Sequence, residues 1–392
     1  MTFAYRCPQC GTSYQISAEL MLCPSCSRQQ RPHRPLAGIL ETVLQPDGRD
    51  TQRYREMSPA ALDPLELLPV GRQHFPAIPV GNTPLWQPER LRALYKKPHL
   101  YLKDDTANPT GSFKDRASFL VAAFARKYGL ERVVVASTGN AASSMAGVGA
   151  AAGLEVVIFV PRNAPRAKLV QSLQCGAQVV AVDGSYDQAS ALSFDFVKSH
   201  GGLCRNTGYN PLTIEGKKTA ALEIYRDLGG VPDYVFVPVG DGVILSGIYK
   251  GFEDLVTLGM AERVPTLIAC QARGSDAISR AFTEGEFTDP RTPGTIADSI
   301  SVGVPAAGVY AVRCLSRNNG RCVTVSDAEI TAAQHSLAAG SGLFAEPAAA
   351  AAMAGFTSVA DTLPRESRIV LLITGSGLKD IDAAAKGVEM PV

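Results

Sequence analysis

The sequence predicts an α/β chain in which parallel strands alternate with helices in two doubly wound units, behind a short cysteine-rich head. Three observations predict it. From residue 114 on, short apolar runs (132–137, 155–161, 177–182, 234–239, 266–272, 321–325 and 368–374) alternate with helical stretches (115–128, 141–152, 165–175, 186–199, 216–228, 245–258, 275–284, 326–339 and 347–360). That alternation is the mark of strands joined by crossover helices. The loops leaving several of those strands are small and polar, as at Ser137-Thr138-Gly139-Asn140 and Thr374-Gly375-Ser376-Gly377, and open parallel sheets bind ligands at that edge. Four of the cysteines, at positions 7, 10, 23 and 26, fall outside the alternating region altogether.

The bulk numbers narrow the function. A chain of 392 residues, 46% hydrophobic, has room for two or three domains and a sizeable core. A net charge of +1 calls for neither nucleic acid nor an anionic membrane. The uncharged run 133–154 contains Ser137, Thr138, Asn140, Ser143 and Ser144, so it reads as strand, loop and helix and not as a membrane span. The first ten residues lack an apolar core segment and already carry a CxxC, so no secretory signal is read there. With an odd total of nine cysteines, the expected setting is a reducing cytoplasm.

Residues 1–34 stand apart. Cys7-Pro8-Gln9-Cys10 and Cys23-Pro24-Ser25-Cys26 are two knuckles whose four thiolates can close a tetrahedron around one structural Zn²⁺. A segment this short has little core, so the metal supplies most of its folding energy. Residues 35–76 read as a connector, with a weak strand over 37–44 and a short helix over 59–68. A main domain, 77–392, follows, and its helices over about 115–200 are expected to form a smaller, mobile subdomain.

The main domain is organised around Asn108-Pro109-Thr110-Gly111-Ser112-Phe113-Lys114-Asp115-Arg116. Pro109 and Gly111 shape a turn, Ser112 is a candidate helix cap, and Lys114 is delivered to the helix start. A lysine there, partly desolvated beside Phe113, suits Schiff-base chemistry. The turn from Ser137 to Ala141 offers hydroxyls and amides at a helix N-terminus, which suits a carboxylate. Gly240-Asp241-Gly242-Val243-Ile244 runs into another helix and can cradle a phosphate with its amides, although Asp241 is an awkward neighbour for a dianion. Thr374 can offer a neutral hydroxyl to a heterocyclic nitrogen. Glu346, before Pro347, reads as a first-turn acid favoured by the helix dipole. One lysine, two anion sites and a neutral hydroxyl are the needs of a pyridoxal-phosphate enzyme.

The stretches GNTPL (81–85), KDDTANPTGSFKDRAS (103–118), ASTGNAASS (136–144), EGKKT (215–219), FAEPAAAAAMAG (344–355) and TGSGLKD (374–380) stand in family order. Over about residues 77–382 the chain thus resembles the threonine synthase branch of the fold-type-II pyridoxal-phosphate enzymes, some of which carry an N-terminal zinc ribbon. The resemblance implies a homodimer acting on a small amino-acid substrate. It implies that Lys114 bears the cofactor, Asn140 meets the cofactor's phenolic oxygen, Gly240 to Ile244 hold its phosphate and Thr374 meets its ring nitrogen. It places the substrate at Ser137, Thr138, Gly139, Ala141, Asn206 and Thr207. The implied reaction takes O-phosphohomoserine and water to L-threonine and phosphate.

Two departures stand out. The family cup is usually GNxGN and here reads Gly240-Asp241-Gly242-Val243-Ile244. Just before Ile214-Glu215-Gly216 the family commonly has an arginine that grips the substrate phosphate, and this chain has Thr213; Lys217 or Lys218 would have to compensate. The departures leave open β-replacement or deamination on an O-activated serine or hydroxy amino acid, as in cysteate synthases and dehydratases. They also leave open a non-catalytic binding protein on the same fold.

Overall fold

The computed structural model describes residues 1–162, 164 and 166–388. The first residue of the helix expected over 165–175 and the last four residues of the expected main domain lie outside them. Strands β1 (Thr2–Arg6), β2 (Ser13–Tyr14) and β3 (Glu41–Gln45) form an antiparallel sheet in the order β2-β1-β3. The weak strand expected over 37–44 is therefore β3, shifted toward 45. The short helix expected over 59–68 is instead two 3₁₀ turns, Pro59–Ala61 and Pro64–Leu67. Each opens on a proline, which suits a first turn, and Pro64 would remove a hydrogen bond from a continuous helix.

Next come β4 (Leu85–Trp86) and β5 (Leu100–Asp104), then β6 (Arg132–Ala136), β7 (Glu155–Pro161), β8 (Gln178–Val182) and β9 (Leu203–Cys204). The last four make a parallel sheet in the order β8-β7-β6-β9. Strands β10 (Tyr234–Pro238), β11 (Thr266–Ala272), β12 (Arg321–Val325) and β13 (Ile369–Ile373) return to β4 and β5. Together they form a six-stranded sheet, β12-β11-β10-β13-β5-β4, parallel except at its β4 edge. All seven apolar runs of the sequence are strands.

The central strands of each sheet are buried on both faces, as crossover helices require, while the edge strands β8 and β12 are largely open. Val235 and Val237 point into one core with Leu245, Ile248 and Phe252. Phe236, between them, points into the other with Ala349, Met353 and Phe356, as a period of two dictates. The alanine-rich helix Pro347–Val359 has a packing reason for its small residues: a Cβ on Gly355 would lie 2.4 Å from Cys270 Sγ. Among the described residues no helix is long and apolar enough to cross a membrane.

The helix Gly308–Arg317 was not expected. It links the N-terminal sheet to the main body. Tyr310 Oη donates to Glu41 Oε2 at 2.5 Å, Arg313 Nη1 donates to the Pro8 carbonyl, and Leu36 N donates to the Ala306 carbonyl at 3.0 Å.

Candidate active site

Lys114 is the first residue of the helix Lys114–Lys127. Its cap differs from expectation: Phe113, not Ser112, is the N-cap residue, with no side-chain capping bond, and Ser112 Oγ is buried without a partner among the described residues. The turn is fixed from outside instead. Phe113 N donates to the Thr374 carbonyl at 2.8 Å and Ser376 N to the Gly111 carbonyl at 3.0 Å, so the loop after β13 is stitched to the loop before Lys114. Within the turn, the buried Asp115 carboxylate accepts from Thr110 N at 2.8 Å and from Thr110 Oγ1. Gly111 sits at φ +80°, where a side chain would be strained.

Two residues along, Arg116 is wholly buried and locks the helix to its surroundings. Its guanidinium bonds Asp105 at 2.6 and 2.9 Å and Glu223 at 2.6 and 2.8 Å, with Thr219 and Thr83 hydroxyls at 2.9 and 3.0 Å. Lys114 is therefore carried on a rigid element. Its half-buried amine is pushed below the ordinary lysine value by burial and by Arg205, against the pull of Asp241 and Glu346. That favours the neutral, nucleophilic form.

The Ser137–Asn140 turn leaves β6 and opens the helix Asn140–Ala152. Gly139 N donates to Ser137 Oγ at 3.2 Å. Beneath it, Asn206 is fully engaged: its Oδ1 accepts from Ala136 N at 2.7 Å and its Nδ2 donates to Ser193 Oγ at 2.9 Å. Thr207 Oγ1 accepts from Arg205 Nη1 at 2.7 Å. Asn206 thus ties the end of β6, just before the turn, to Ser193. Asn140 Nδ2 donates to both Glu346 oxygens, at 2.9 and 3.1 Å.

Glu346 has a larger part than the sequence suggested. It is the N-cap residue of Pro347–Val359, yet its carboxylate makes no cap. It reaches Asn140 and lies against Gly375, where a Cβ would fall 2.4 Å from its Oε1. It thus joins the Asn140 turn to the Thr374 loop. The sequence signal was Gly375, whose need for a missing side chain only the packing reveals.

The turn from Gly240 to Ile244 leaves β10 and enters the helix Val243–Thr257. Gly242 is its N-cap residue at φ +83°. A Cβ there would meet Ala311 Cβ at 2.8 Å, and one on Gly240 would meet Ile300 Cα at 2.8 Å. The chain can therefore turn tightly and present bare amides at the helix start. Asp241 is held sideways: its carbonyl accepts from Ala307 N at 2.9 Å and its Oδ1 from Ala306 N at 3.3 Å. Burial raises its carboxyl, opposed by Lys114 and Lys217. A glycine turn at a helix N-terminus, facing a lysine, fits a phosphate-bearing aldehyde cofactor.

Of the two departures, Thr213 is inward and structural. Its hydroxyl donates to the Asn210 carbonyl at 2.7 Å and accepts from Gly208 N at 3.1 Å. Lys218 is consumed by ion pairs with Glu215 and with Asp254 at 2.7 Å. Apart from this site, the Sγ atoms of Cys7, Cys10, Cys23 and Cys26 all lie within 4.8 Å of one another.

The sequence profile described as "Pyridoxal-phosphate dependent enzyme" matches residues 77–375. The chain belongs to this family. The enzyme is 33% identical to a threonine synthase of Methanocaldococcus jannaschii over 99% of this chain and 95% of that protein. It is 35% identical to a threonine synthase of Mycobacterium tuberculosis over 83% of this chain and 89% of that one. Among solved structures, the processed threonine deaminase isoform 2 of Solanum lycopersicum superposes with a TM-score of 0.70 at 21% identity, covering 88% of this chain and 94% of that chain. Maize serine racemase superposes at 0.69 and 23%, covering 79% and 92%. At those identities the structural likeness speaks for the fold alone. The non-catalytic reading falls with the family match, because this is a family of enzymes.

Proposed function

We propose that the enzyme converts O-phosphohomoserine and water to L-threonine and phosphate. The observation that carries this is the end-to-end similarity to threonine synthases in a chain whose Lys114, glycine cup and Ser137–Asn140 turn converge. Pyridoxal phosphate, bound through Lys114, supplies the electron sink that lets protons leave Cα and Cβ. The amides from Gly240 to Ile244 and the dipole of the following helix hold its phosphate. The Thr374 hydroxyl and Asn140 orient its ring. The substrate's carboxylate rests on the Ser137–Ala141 turn, with Asn206 and Thr207 bracing it.

With the substrate bound, the Lys114 amine would take protons from Cα and Cβ and deliver protons to Cγ and Cα, so that the carbon losing phosphate ends as a methyl group. Its burial-lowered basicity keeps a neutral fraction available for this at neutral pH. Phosphate then leaves from Cγ and water adds at Cβ. Purified enzyme given O-phosphohomoserine releases phosphate and threonine in equal amounts. Release no greater than from a Lys114→Ala control rejects the substrate.

The absence of an arginine at 213 favours a second reading, replacement or deamination on phosphoserine or serine. The cofactor absorbance decides: a shift with phosphoserine or serine and none with O-phosphohomoserine selects it.

Cys7, Cys10, Cys23 and Cys26 would hold one structural Zn²⁺. A tetrahedron with Zn–S bonds of about 2.3 Å has S···S edges of about 3.8 Å, and Cys10 and Cys23 Sγ lie 3.7 Å apart. We divide the chain into a ribbon (1–34), a connector (35–76) and a catalytic domain (77–392) with a closing part near 115–200. The working assembly we take is a cytoplasmic homodimer.

A further inference from the structure

Two buried basic side chains near Lys114 have hydrogen-bonding capacity that the described residues leave unused. Lys217 is fully buried and its Nζ has no hydrogen-bond partner among them. Arg205 is fully buried as well. Its Nη1 donates to Thr207 Oγ1 at 2.7 Å and its Nε leans on Ser118 Oγ at 3.4 Å, while its Nη2 donates to none of the described residues. Buried donors left without partners are costly, and a fold seldom keeps two such groups close together without an acceptor to receive them.

Both groups lie beside the Lys114 helix: Arg205 Nε leans on Ser118, one turn along it, and a Cβ on Gly216, next to Lys217, would fall 2.5 Å from the Arg116 carbonyl. The Lys217 amine feels Lys114 and Arg205 as like charges and Asp241 as an opposite one. Lys114 in turn feels Arg205 and Asp241. Lys217 lies in the 3₁₀ turn Gly216–Lys218 and packs against the second turn of the helix that follows the glycine cup, where a Cβ on Gly247 would lie 2.6 Å from Lys217 Cβ. Burial brings the Arg205 guanidinium down to about 10, so it keeps its charge at neutral pH. The other groups in this stretch of chain are spent: Lys218 on Glu215 and Asp254, Thr213 on its own turn.

We propose that Lys217 and Arg205 form a phosphoryl-binding pair of the active site, supplying the positive charge that the chain lacks at position 213. A phosphoryl dianion brings nearly two charges and three acceptor oxygens, enough to satisfy an ammonium and a free guanidinium edge together. The inference rests on the reading of the substrate as a phosphate ester. The same chemistry is also present in the cofactor's phosphate, so the experiment has two arms.

The first arm titrates the holoenzyme, by cofactor absorbance, with the phosphonate analogue of O-phosphohomoserine and with L-homoserine. The second measures the affinity for pyridoxal phosphate and for pyridoxal. Lys217→Met is expected to weaken the phosphonate by about 30-fold, the range of one lost charge-assisted hydrogen bond, and to leave homoserine unchanged. Lys217→Arg is expected to retain most of the preference, and Arg205→Met to repeat the loss. A selective loss of pyridoxal phosphate over pyridoxal, with the phosphonate preference intact, assigns the pair to the cofactor's phosphate. Equal effects on ligands with and without phosphoryl, or no effect in either arm, overturn the pair. Replacing an unpartnered amine by a thioether of similar length preserves folding, and Arg205→Met gives an independent answer. If the wild type itself shows no preference for the phosphonate over homoserine, the substrate reading fails, and the second arm still decides the pair.

Discussion

Arg116→Met tests whether the lysine helix is held as described. The wild-type guanidinium makes four bonds to the carboxylates of Asp105 and Glu223, all between 2.6 and 2.9 Å, in a fully buried position. Bonds to charged partners contribute about 1.5–3 kcal/mol each, but the four share one guanidinium whose own desolvation is costly. They therefore do not add, and breaking a buried pair costs about 3–5 kcal/mol. Glu223 keeps Lys103 at 2.7 Å, which favours the lower end of that range. The pH dependence follows from Glu223. Burial pushes its carboxyl up, and Arg116 and Lys103 together more than reverse this, holding it well below the usual carboxylate range. Its contribution is present above the unfolded value near 4.3 and lost as pH falls through the folded one. Without Arg116 the carboxyl rises toward its unfolded value, so the stability deficit of the variant is at its full size at about pH 6 and has narrowed by about pH 3. Urea denaturation of both proteins at those two pH values measures it. A loss under about 1 kcal/mol, or a deficit independent of pH, refutes the network as the anchor of Lys114.

Three further outcomes are expected. Gly242→Val forces a side chain into φ +83° and against Ala311 and Ala307; strain of about 1–3 kcal/mol weakens pyridoxal-phosphate affinity roughly tenfold or more, read by equilibrium dialysis. Cys23→Ser removes one zinc ligand, so metal analysis falls from about one zinc per chain toward none, and proteolysis within residues 1–34 accelerates while the cofactor spectrum persists. Burial holds the Lys217 amine well below the ordinary lysine value, so the folded chain binds fewer protons there than the unfolded one. Wild-type stability therefore gains on that of Lys217→Met as pH rises from about 6.5 to 8, measured on cofactor-free protein.

The strands were legible because a parallel sheet buried on both faces writes itself as apolar runs, and β6, β7, β10, β11 and β13 are such runs. Lys114 was legible because its turn needs Pro109 and Gly111 in fixed places. What escaped depended on partners distant in sequence. Ser112 looked like a cap, but the loop after β13 takes that part by receiving Phe113 N. The helix Gly308–Arg317 lacks a side-chain cap and carries an exposed Val309, so its start had no local signal. Lys217 and Lys218 are adjacent and identical in composition terms, and only the positions of Glu215 and Asp254 separate the paired lysine from the unpaired one.

The most direct measurement is the fate of solvent oxygen. Holoenzyme is incubated with O-phosphohomoserine in ¹⁸O-enriched water, and the products are examined by mass spectrometry. Loss of phosphate from Cγ by carbon–oxygen cleavage and addition of water at Cβ place ¹⁸O in the threonine hydroxyl and none in phosphate, and Lys114→Ala forms neither product. Label in phosphate with unlabelled homoserine, or unlabelled threonine, contradicts the account.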